Sequence, residues 1–148
     1  PGSLFRAVDV SLFPASVFRV EPNWAALHAT VVRQGTTQGL ASALIRVMRA
    51  SDLVILARGF SDRRGEALVP VVGVPVTTFS DDENAVITTE VAVTVEAIFD
   101  PNLSGAPDPD VLESRANLND VNLRRATVDN LSVSSGRSLA ITLPVALP

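Results

Sequence analysis

A period-two alternation of apolar and polar residues between positions 86 and 99 constrains the fold of this chain more than any other feature. One face of an extended strand there would carry Ile87, Val91, Val93, Val95, Ala97 and Phe99. The opposite face would carry Thr88, Glu90, Thr94 and Glu96. This spacing is typical of a half-buried antiparallel strand and does not fit a helix. The sequence therefore predicts a sheet with one buried face.

Further short apolar segments, separated by turn residues, predict more strands. They cover residues 15–20, 27–33, 43–49, 53–59 and 67–72. The connections at 35–39, 50–52 and 61–65 are short, which favours antiparallel hairpins. Pro22, Pro70 and Pro75 are expected near strand ends or sheet edges, where a missing N–H does least harm.

Residues 100–110 interrupt this pattern with three prolines and one glycine, and we interpret them as a proline-rich loop. Asp108 followed by Pro109 is typical of an N-cap and a first helical residue, so a short helix from Pro109 to about Ala116 is predicted. Leu131 and Val133 lead to a turn at 134–137, and alternation then resumes. A C-terminal hairpin is therefore predicted over 131–147.

Length and composition indicate one domain. The chain has 148 residues and is 47% hydrophobic, which is enough to bury a core. Residues 1–3 resemble the remnant of a cleaved expression tag, which leaves 4–148 for the domain. We predict an all-β fold: an antiparallel immunoglobulin-like or prealbumin-like sandwich of about eight strands, with at most one short helix. A small closed barrel is the alternative.

The ionisable residues exclude several functions. The absence of cysteine removes disulfides and thiolate chemistry, and leaves the cellular compartment open. All 12 basic residues are arginine, either from coding bias or because arginines serve as bidentate anchors at an assembly surface. A net charge of −4 disfavours nucleic acid as a partner. No apolar run reaches the ~18 residues of a membrane span, so membrane insertion is not expected.

Two segments together resemble a known family. They are Gly39-Leu40-Ala41-Ser42-Ala43-Leu44-Ile45-Arg46-Val47 and Ser61-Asp62-Arg63-Arg64-Gly65-Glu66-Ala67-Leu68-Val69. This order is similar to carboxypeptidase regulatory-like domains and their relatives with a prealbumin-like or Cna-B-type sandwich. In such domains a turn ending in glycine precedes a small residue, here Ala43, that opens a strand. A later Asp-x-x-Gly turn, here at 62–65, introduces the next one.

The resemblance spans about residues 27–76. It implies a non-catalytic accessory or structural module of a larger bacterial surface protein, secreted enzyme or phage-tail-like assembly. The sequence departs from the family pattern at the acidic segment 79–84. Cna-B-type relatives can form an isopeptide cross-link between lysine and asparagine, and a chain without lysine cannot do so.

Catalysis and a zinc site are not expected. The single histidine, His28, lies in a predicted strand on the face opposite Leu27 and Ala29, and no nucleophile-elbow motif occurs. A hydrolase would require His28 in a cleft beside a serine and a carboxylate. Glu90 and Glu96 lie ~20 Å apart along one strand, which is too far for a glycosidase pair. No catalytic, cofactor-binding or metal-ligating residue is assigned.

Two ligand-binding alternatives remain open. Residues 100–105 resemble the first half of an EF-hand loop, but position twelve is Val111 rather than Glu. An irregular calcium site would use Asp100, Asn102, Asp108 or Asp110. The acidic cluster Asp81, Asp82 and Glu83 is interpreted as a hairpin tip. A carbohydrate platform would depend on Trp24, for which core packing is the competing interpretation.

The expected function is therefore a structural or protein-interaction module, with exposed sheet edges as the contact surface. A protein partner or self-association is predicted, and a small ligand is disfavoured. Phe13 or Phe79, if exposed, would mark an interface. The alternative function is a carbohydrate- or calcium-binding accessory module.

Overall fold

The computed structural model describes residues 12–15, 19–21, 23–75, 90–103 and 107–148. They form seven strands and one helix. In chain order these are β1 (Ala25–Arg33), β2 (Leu44–Arg49), β3 (Ile55–Phe60), β4 (Glu66–Val71), β5 (Glu90–Phe99), α1 (Pro109–Asn117), β6 (Arg124–Ser134) and β7 (Ser138–Val145).

The strands form two sheets, as expected for an all-β sandwich. Sheet A has the order β4-β1-β7 and sheet B has the order β3-β2-β5-β6. Neighbouring strands are antiparallel except β1 and β7, which are parallel. The inner faces enclose one apolar core, because the apolar positions of each strand's alternation point to the same side. Its fully buried members include Leu27, Val31, Ile45, Val47, Val69, Val93, Val95, Leu143 and Val145.

Most predicted strands are confirmed to within two residues in the described part of the chain. β1, β2, β3 and β4 match the predictions, and the helix matches from its first residue Pro109. β5 begins at Glu90, and the predicted positions 86–89 lie outside the described residues. The predicted strand at 15–20 is wrong at Ala15, Arg19 and Val20, which have no strand structure. Its positions 16–18 lie outside the described residues.

Two of the three predicted hairpin connections are wrong. Residues 50–54 do join the antiparallel neighbours β2 and β3. The connections from β1 to β2 and from β3 to β4 instead cross between the sheets. The two layers of a sandwich lie about 10 Å apart, so a short loop can join strands of different sheets as well as neighbours. Loop length alone therefore does not distinguish a hairpin within one sheet from a connection between the two sheets.

The predicted C-terminal hairpin over 131–147 is also wrong. β6 pairs with β5 in sheet B, whereas β7 pairs with β1 in sheet A, so the turn at 135–137 carries the chain across the core. In addition, β6 begins at Arg124, seven residues before the predicted start at Leu131. Its first half alternates, because Arg125, Thr127 and Asp129 are exposed whereas Ala126 and Val128 pack with the core. With only two apolar residues, this alternation is too short to predict a strand.

Candidate interaction surface

Both edges of sheet A are closed to further pairing by proline. The Ala26 amide donates to Arg137 O and the Gln34 amide donates to Val145 O. In a parallel pair, these two bonds show that the backbone N–H and C=O groups of odd-numbered β7 residues point towards β1. The backbone groups of even-numbered residues, including Pro144, therefore point away from β1, to the outer edge. The bond from Val31 N to Gly65 O places Pro70 on the outer edge of β4 in the same way. Each outer edge therefore lacks an amide donor at its proline, as expected for Pro70 from the sequence.

The edges of sheet B differ in length. β3 has six residues, and its Arg58 side chain reaches over to the helix. β6 has 11 residues and no proline. No strand pairs with the outer side of β6 within the described residues. β6 is thus the longest edge strand described, and its outer side is the candidate interaction surface.

The backbone groups on the outer side of β6 follow from the hydrogen-bond pattern of sheet B. The Ala50 amide donates to Ala92 O, so even-numbered β5 residues face β2 and odd-numbered residues face β6. The β6 residues opposite those odd-numbered residues also direct their backbone groups at β5. They are Arg124, Ala126, Val128, Leu131 and Val133. The outer side, which we call the open edge, therefore presents the backbones of Arg125, Thr127, Ser132 and Ser134.

A β-bulge divides the open edge. Val93 is opposite Leu131 but Val95 is opposite Val128, so β6 has one extra residue at this point. Asn130 has a φ of 58°, and the Thr94 hydroxyl donates to Asp129 Oδ1 at 2.8 Å. Because of the extra residue, the outward-facing backbone groups are odd-numbered before the bulge and even-numbered after it.

Apolar side chains lie directly behind the open edge. Val128 and Leu131 pack against the sandwich core but are only half-buried. Their neighbours Ala126 and Val133 are buried. The core therefore extends to this edge without being fully covered there.

The outer face of sheet B carries the helix. α1 and the segment after it pack on this face through a second apolar cluster, separate from the main core. Its members are Leu44, Ile98, Leu112, Ala116 and Leu123, with Phe60 at its margin. Phe13, a candidate interface residue, is half-buried against Phe60 with ring centroids 5.0 Å apart. Phe79, the other candidate, lies outside the described residues.

Buried charged groups hold the C-terminal end of α1. Arg46 and Glu96 are directly opposite each other on β2 and β5, are both buried, and form an ion pair. Arg46 Nη1 also donates to Asn117 Oδ1 at 3.2 Å. Arg125 contacts the other oxygen of Glu96 at 3.5 Å and donates to Ala116 O. Cations at a helix C-terminus are favourable, so the same arginines neutralise Glu96 and stabilise the helix end.

The N-terminal end of α1 is held by a cap and by Arg58. Asp108 Oδ1 accepts from the amides of Asp110 and Val111, as predicted for an N-cap. Arg58 reaches from β3 to Asp110 at 3.3 Å and to Glu113 Oε2 at 2.8 Å. The other oxygen of Glu113 is buried and has no hydrogen-bond partner among the described residues. Arg58 thus joins sheet B to the helix through one contact to each of two carboxylates.

The residues considered for calcium do not converge on one point. Asp100 Oδ2 pairs with Arg115, and Asp100 Oδ1 accepts from the amide of Asn102. Asp108 caps the helix and Asp110 pairs with Arg58. Within the described residues, no group of three or more acidic or histidine side chains is arranged to hold a metal ion.

Arg115 contacts two carboxylates, one in the segment after β5 and one in the segment after α1. Its guanidinium contacts Asp100 and also Asp120, at 2.8 Å to the latter. Burial acts to raise the pKa of Asp100, but the hydrogen bonds from Arg115 and the Asn102 amide outweigh it and the pKa is lowered. The Asn122 amide and Arg115 lower the pKa of Asp120. These contacts hold the helix to the end of β5.

Trp24 and His28, the residues considered for carbohydrate binding and for catalysis, line different surface depressions. Trp24 is half-buried beside Gly136, whose amide donates to Trp24 O, and it lines a depression of about 130 Å³. His28 is exposed on β1, opposite in direction to Leu27 and Ala29 as predicted. The shallow depression beside it is lined by threonine, alanine and Glu66, with no serine among the described lining residues.

A larger cavity of about 390 Å³ lies at the end of the sandwich near the β2–β3 turn. Its walls include Leu56, Val71 and Val91, and Arg49 and Glu90 contribute polar groups. It adjoins Pro75 and Glu90, the described residues on either side of segment 76–89. That segment contains the acidic cluster 81–83 and lies outside the described residues.

No protein-family model matches this chain, and a search of curated proteins finds no significant relative. A helix of sufficient length and apolarity to cross a membrane is absent from the described part of the chain.

Proposed function

We propose that this chain is a non-catalytic β-sandwich module whose function is to bind another protein through the open edge of β6. The observation that carries this proposal is the contrast among the edge strands. Both sheet A edges have a proline facing outward, whereas the longest edge strand has none. Unpaired backbone groups on an exposed edge are the template used in β-strand addition.

The use of the charged side chains supports a structural function. Arg46, Glu96 and Arg58 hold the helix to the sheet, and Arg115 holds Asp100 and Asp120. The resemblance to carboxypeptidase regulatory-like domains favours the same function. By that resemblance we place the module in a larger bacterial surface, secreted or phage-tail-like assembly.

The carbohydrate- or calcium-binding alternative has less support. Trp24 is half-buried rather than displayed on a flat platform. The carboxylates of Asp100, Asp108 and Asp110 each have a different partner within the protein. Neither observation favours a ligand site over an interaction edge.

Selection of binding peptides tests the proposal. We would select random heptapeptides on the immobilised protein by phage display and map each bound peptide by amide chemical shifts. Extended peptides should shift the amides of Arg125, Thr127 or Ser132. Binding should be lost in the double variant Thr127→Pro/Ser132→Pro, since proline removes outward donors without removing a bond to β5.

The matched control is Ser138→Pro/Thr142→Pro, which makes the same two changes at outward-facing positions of β7. It should bind the selected peptides as well as the wild type does. Circular dichroism would verify that both double variants are folded. Peptides that bind both variants equally, or that shift residues lining the 390 Å³ cavity instead, would overturn the proposal.

A further inference from the structure

Resting on this proposed function, we infer that the strand that binds the open edge is β6 of a second copy of the chain. The two strands would run antiparallel across a two-fold axis that passes between Asp129 and Asn130. The result is a dimer in which the two copies of sheet B form one continuous eight-stranded sheet.

The bulge is the first reason for a second copy. The outward-facing backbone groups are those of Arg125 and Thr127 before the bulge, and of Ser132 and Ser134 after it. A regular strand alternates without interruption, so it can match the groups on only one side of the bulge. A partner that matches both sides must have the same extra residue at the same point. Another copy of β6 fulfils this condition.

The register follows from the positions of these groups. With the axis between Asp129 and Asn130, Thr127 lies opposite Ser132 of the second copy, and Arg125 lies opposite Ser134. Both members of each pair direct their backbone groups outward, as a hydrogen-bonded antiparallel pair requires. Ser134 is buried and its carbonyl already accepts from the Arg137 amide, so the pairing is expected mainly at Thr127 and Ser132.

The side chains are complementary in the same register. On the core side, the half-buried Val128 lies opposite the half-buried Leu131 of the second copy, and the reverse pair forms across the axis. These are non-hydrogen-bonded pairs, in which side chains approach most closely. Pairing would therefore cover the apolar surface that β6 leaves incompletely buried.

On the outer face, no two like charges lie directly opposite each other. Asp129 faces Asn130 of the second copy and Arg125 faces Ser134, while the remaining pair is Thr127 with Ser132. Like charges opposite each other would destabilise a sheet pair. The two faces of β6 thus favour the same register.

Disulfide trapping tests the register directly, because the chain has no native cysteine. In the variant Thr127→Cys/Ser132→Cys, the cysteine at position 127 of one copy would lie opposite the cysteine at position 132 of the other. Their Cα atoms would be separated by ~5.5 Å, as in a hydrogen-bonded pair. Within one chain the two positions are ~15 Å apart and cannot be bridged. Mild oxidation should give a covalent dimer. Each single variant should remain uncross-linked, because its cysteines are about 15 Å apart across the interface.

Light scattering after size-exclusion chromatography gives the second measurement. The dimer fraction of the wild type should rise with concentration, and Thr127→Pro/Ser132→Pro should weaken dimerisation at least about tenfold through lost backbone bonds. The control Ser138→Pro/Thr142→Pro should dimerise as the wild type does. A protein that is monomeric at every concentration, or a dimer unaffected by the β6 prolines, would overturn the inference.

The two experiments separate this inference from the proposed function. A monomeric protein whose β6 edge still binds extended peptides would refute the second copy and retain the interaction edge. A protein that neither dimerises nor binds peptides at β6 would refute both. Cross-linking by a single variant would show a different register and would also overturn the inference.

Discussion

Gly39 and Gly65 lie where the β1–β2 connection and the β3–β4 connection come into close contact. Both connections cross from one sheet to the other. A Cβ atom on Gly39 would lie 1.9 Å from Arg64 O, and one on Gly65 would lie 2.3 Å from Val31 O. Gly65 also has a φ of 82°, a conformation that glycine adopts readily. For Gly39, the contact with Arg64 is the decisive constraint. Backbone from two connections thus meets where side chains have no room.

The first prediction concerns this contact. Gly39→Ala should destabilise the fold by about 3 kcal/mol, because the added methyl overlaps backbone that cannot easily move. Gly35→Ala is the matched control, since Gly35 has a φ of 77° but open space around it. It should lose only about 1 kcal/mol from backbone strain. Urea unfolding measures both, and equal losses would show that the contact is unimportant.

The second prediction concerns the buried ion pair. Arg46→Met removes the main partner of a buried carboxylate, so we expect a loss of about 3 kcal/mol in the free energy of unfolding. Arg49→Met on the same strand removes an exposed pair with Asp52 and should cost less than about 1 kcal/mol. If the two variants unfold at the same urea concentration, the pair does not stabilise the helix on the sheet.

The third prediction concerns pH. The pKa values of Asp100 and Asp120 are lower in the folded protein than in the unfolded chain. The stability they supply is therefore present above the unfolded pKa, about 4, and is lost as pH falls through the folded values. Asp100→Asn should be less stable at pH 7, and its unfolding free energy should fall less steeply between pH 5 and about 2. An unchanged slope would contradict the role of Arg115.

At the scale of elements, α1 combines a local signal with a tertiary one. The Asp108-Pro109 pair predicts its start, and Asp108 does cap it. The side that is buried depends on Leu112 and Ala116, which pack against sheet B. The exposed Val111 and Leu118 make the apolar pattern of this helix ambiguous in the sequence. The cap could therefore be predicted, but the surface that the helix covers could not.

The fourth prediction concerns this cap. Asp108→Ala should destabilise the protein by about 1 kcal/mol, because two amides in the first turn lose their acceptor. Asp108→Ser retains an acceptor and should be close to the wild type. Thermal unfolding together with hydrogen exchange of the α1 amides measures the effect. Equal stability of the alanine and serine variants would exclude a capping role.

The strands show which elements the sequence patterns can predict and which they cannot. β5 was predictable from its period-two alternation, and β1 to β4 from short apolar segments that lie between turn residues. The first half of β6 was missed because Ala126 and Val128 are its only apolar residues, and the bulge puts the later apolar positions out of phase with them. The Arg46–Glu96 pair could not be found either. It requires the register of β2 against β5, which no local pattern contains.

At the scale of the whole molecule, the parallel pairing of β1 with β7 determines how the chain must fold. These strands are the first and last of the described sheets, and their eight register pairs join Ala26–Arg33 to Ser138–Val145. β1 is the central strand of sheet A. Sheet A is therefore incomplete until distant parts of the chain meet.

The fifth prediction follows from this separation. Closing such distant pairs costs chain entropy before the contacts form, so folding should take milliseconds to seconds. Stopped-flow refolding from urea, monitored by Trp24 fluorescence, measures the rate. Double-jump experiments would separate slow proline isomerisation. Folding in microseconds would contradict a mechanism limited by the β1–β7 contact.

The outward prolines of sheet A also set the valency of the module. With Pro70 and Pro144 on its edges, sheet A offers no uninterrupted template, and further pairing falls to sheet B. In the proposed dimer, pairing through β6 would occupy that strand in both copies, and among the described strands the two six-residue β3 strands would form the ends of the joined sheet. A two-fold contact uses the same surface on both copies and therefore closes with two chains. The proposed dimer would be a finite particle rather than the start of a fibril.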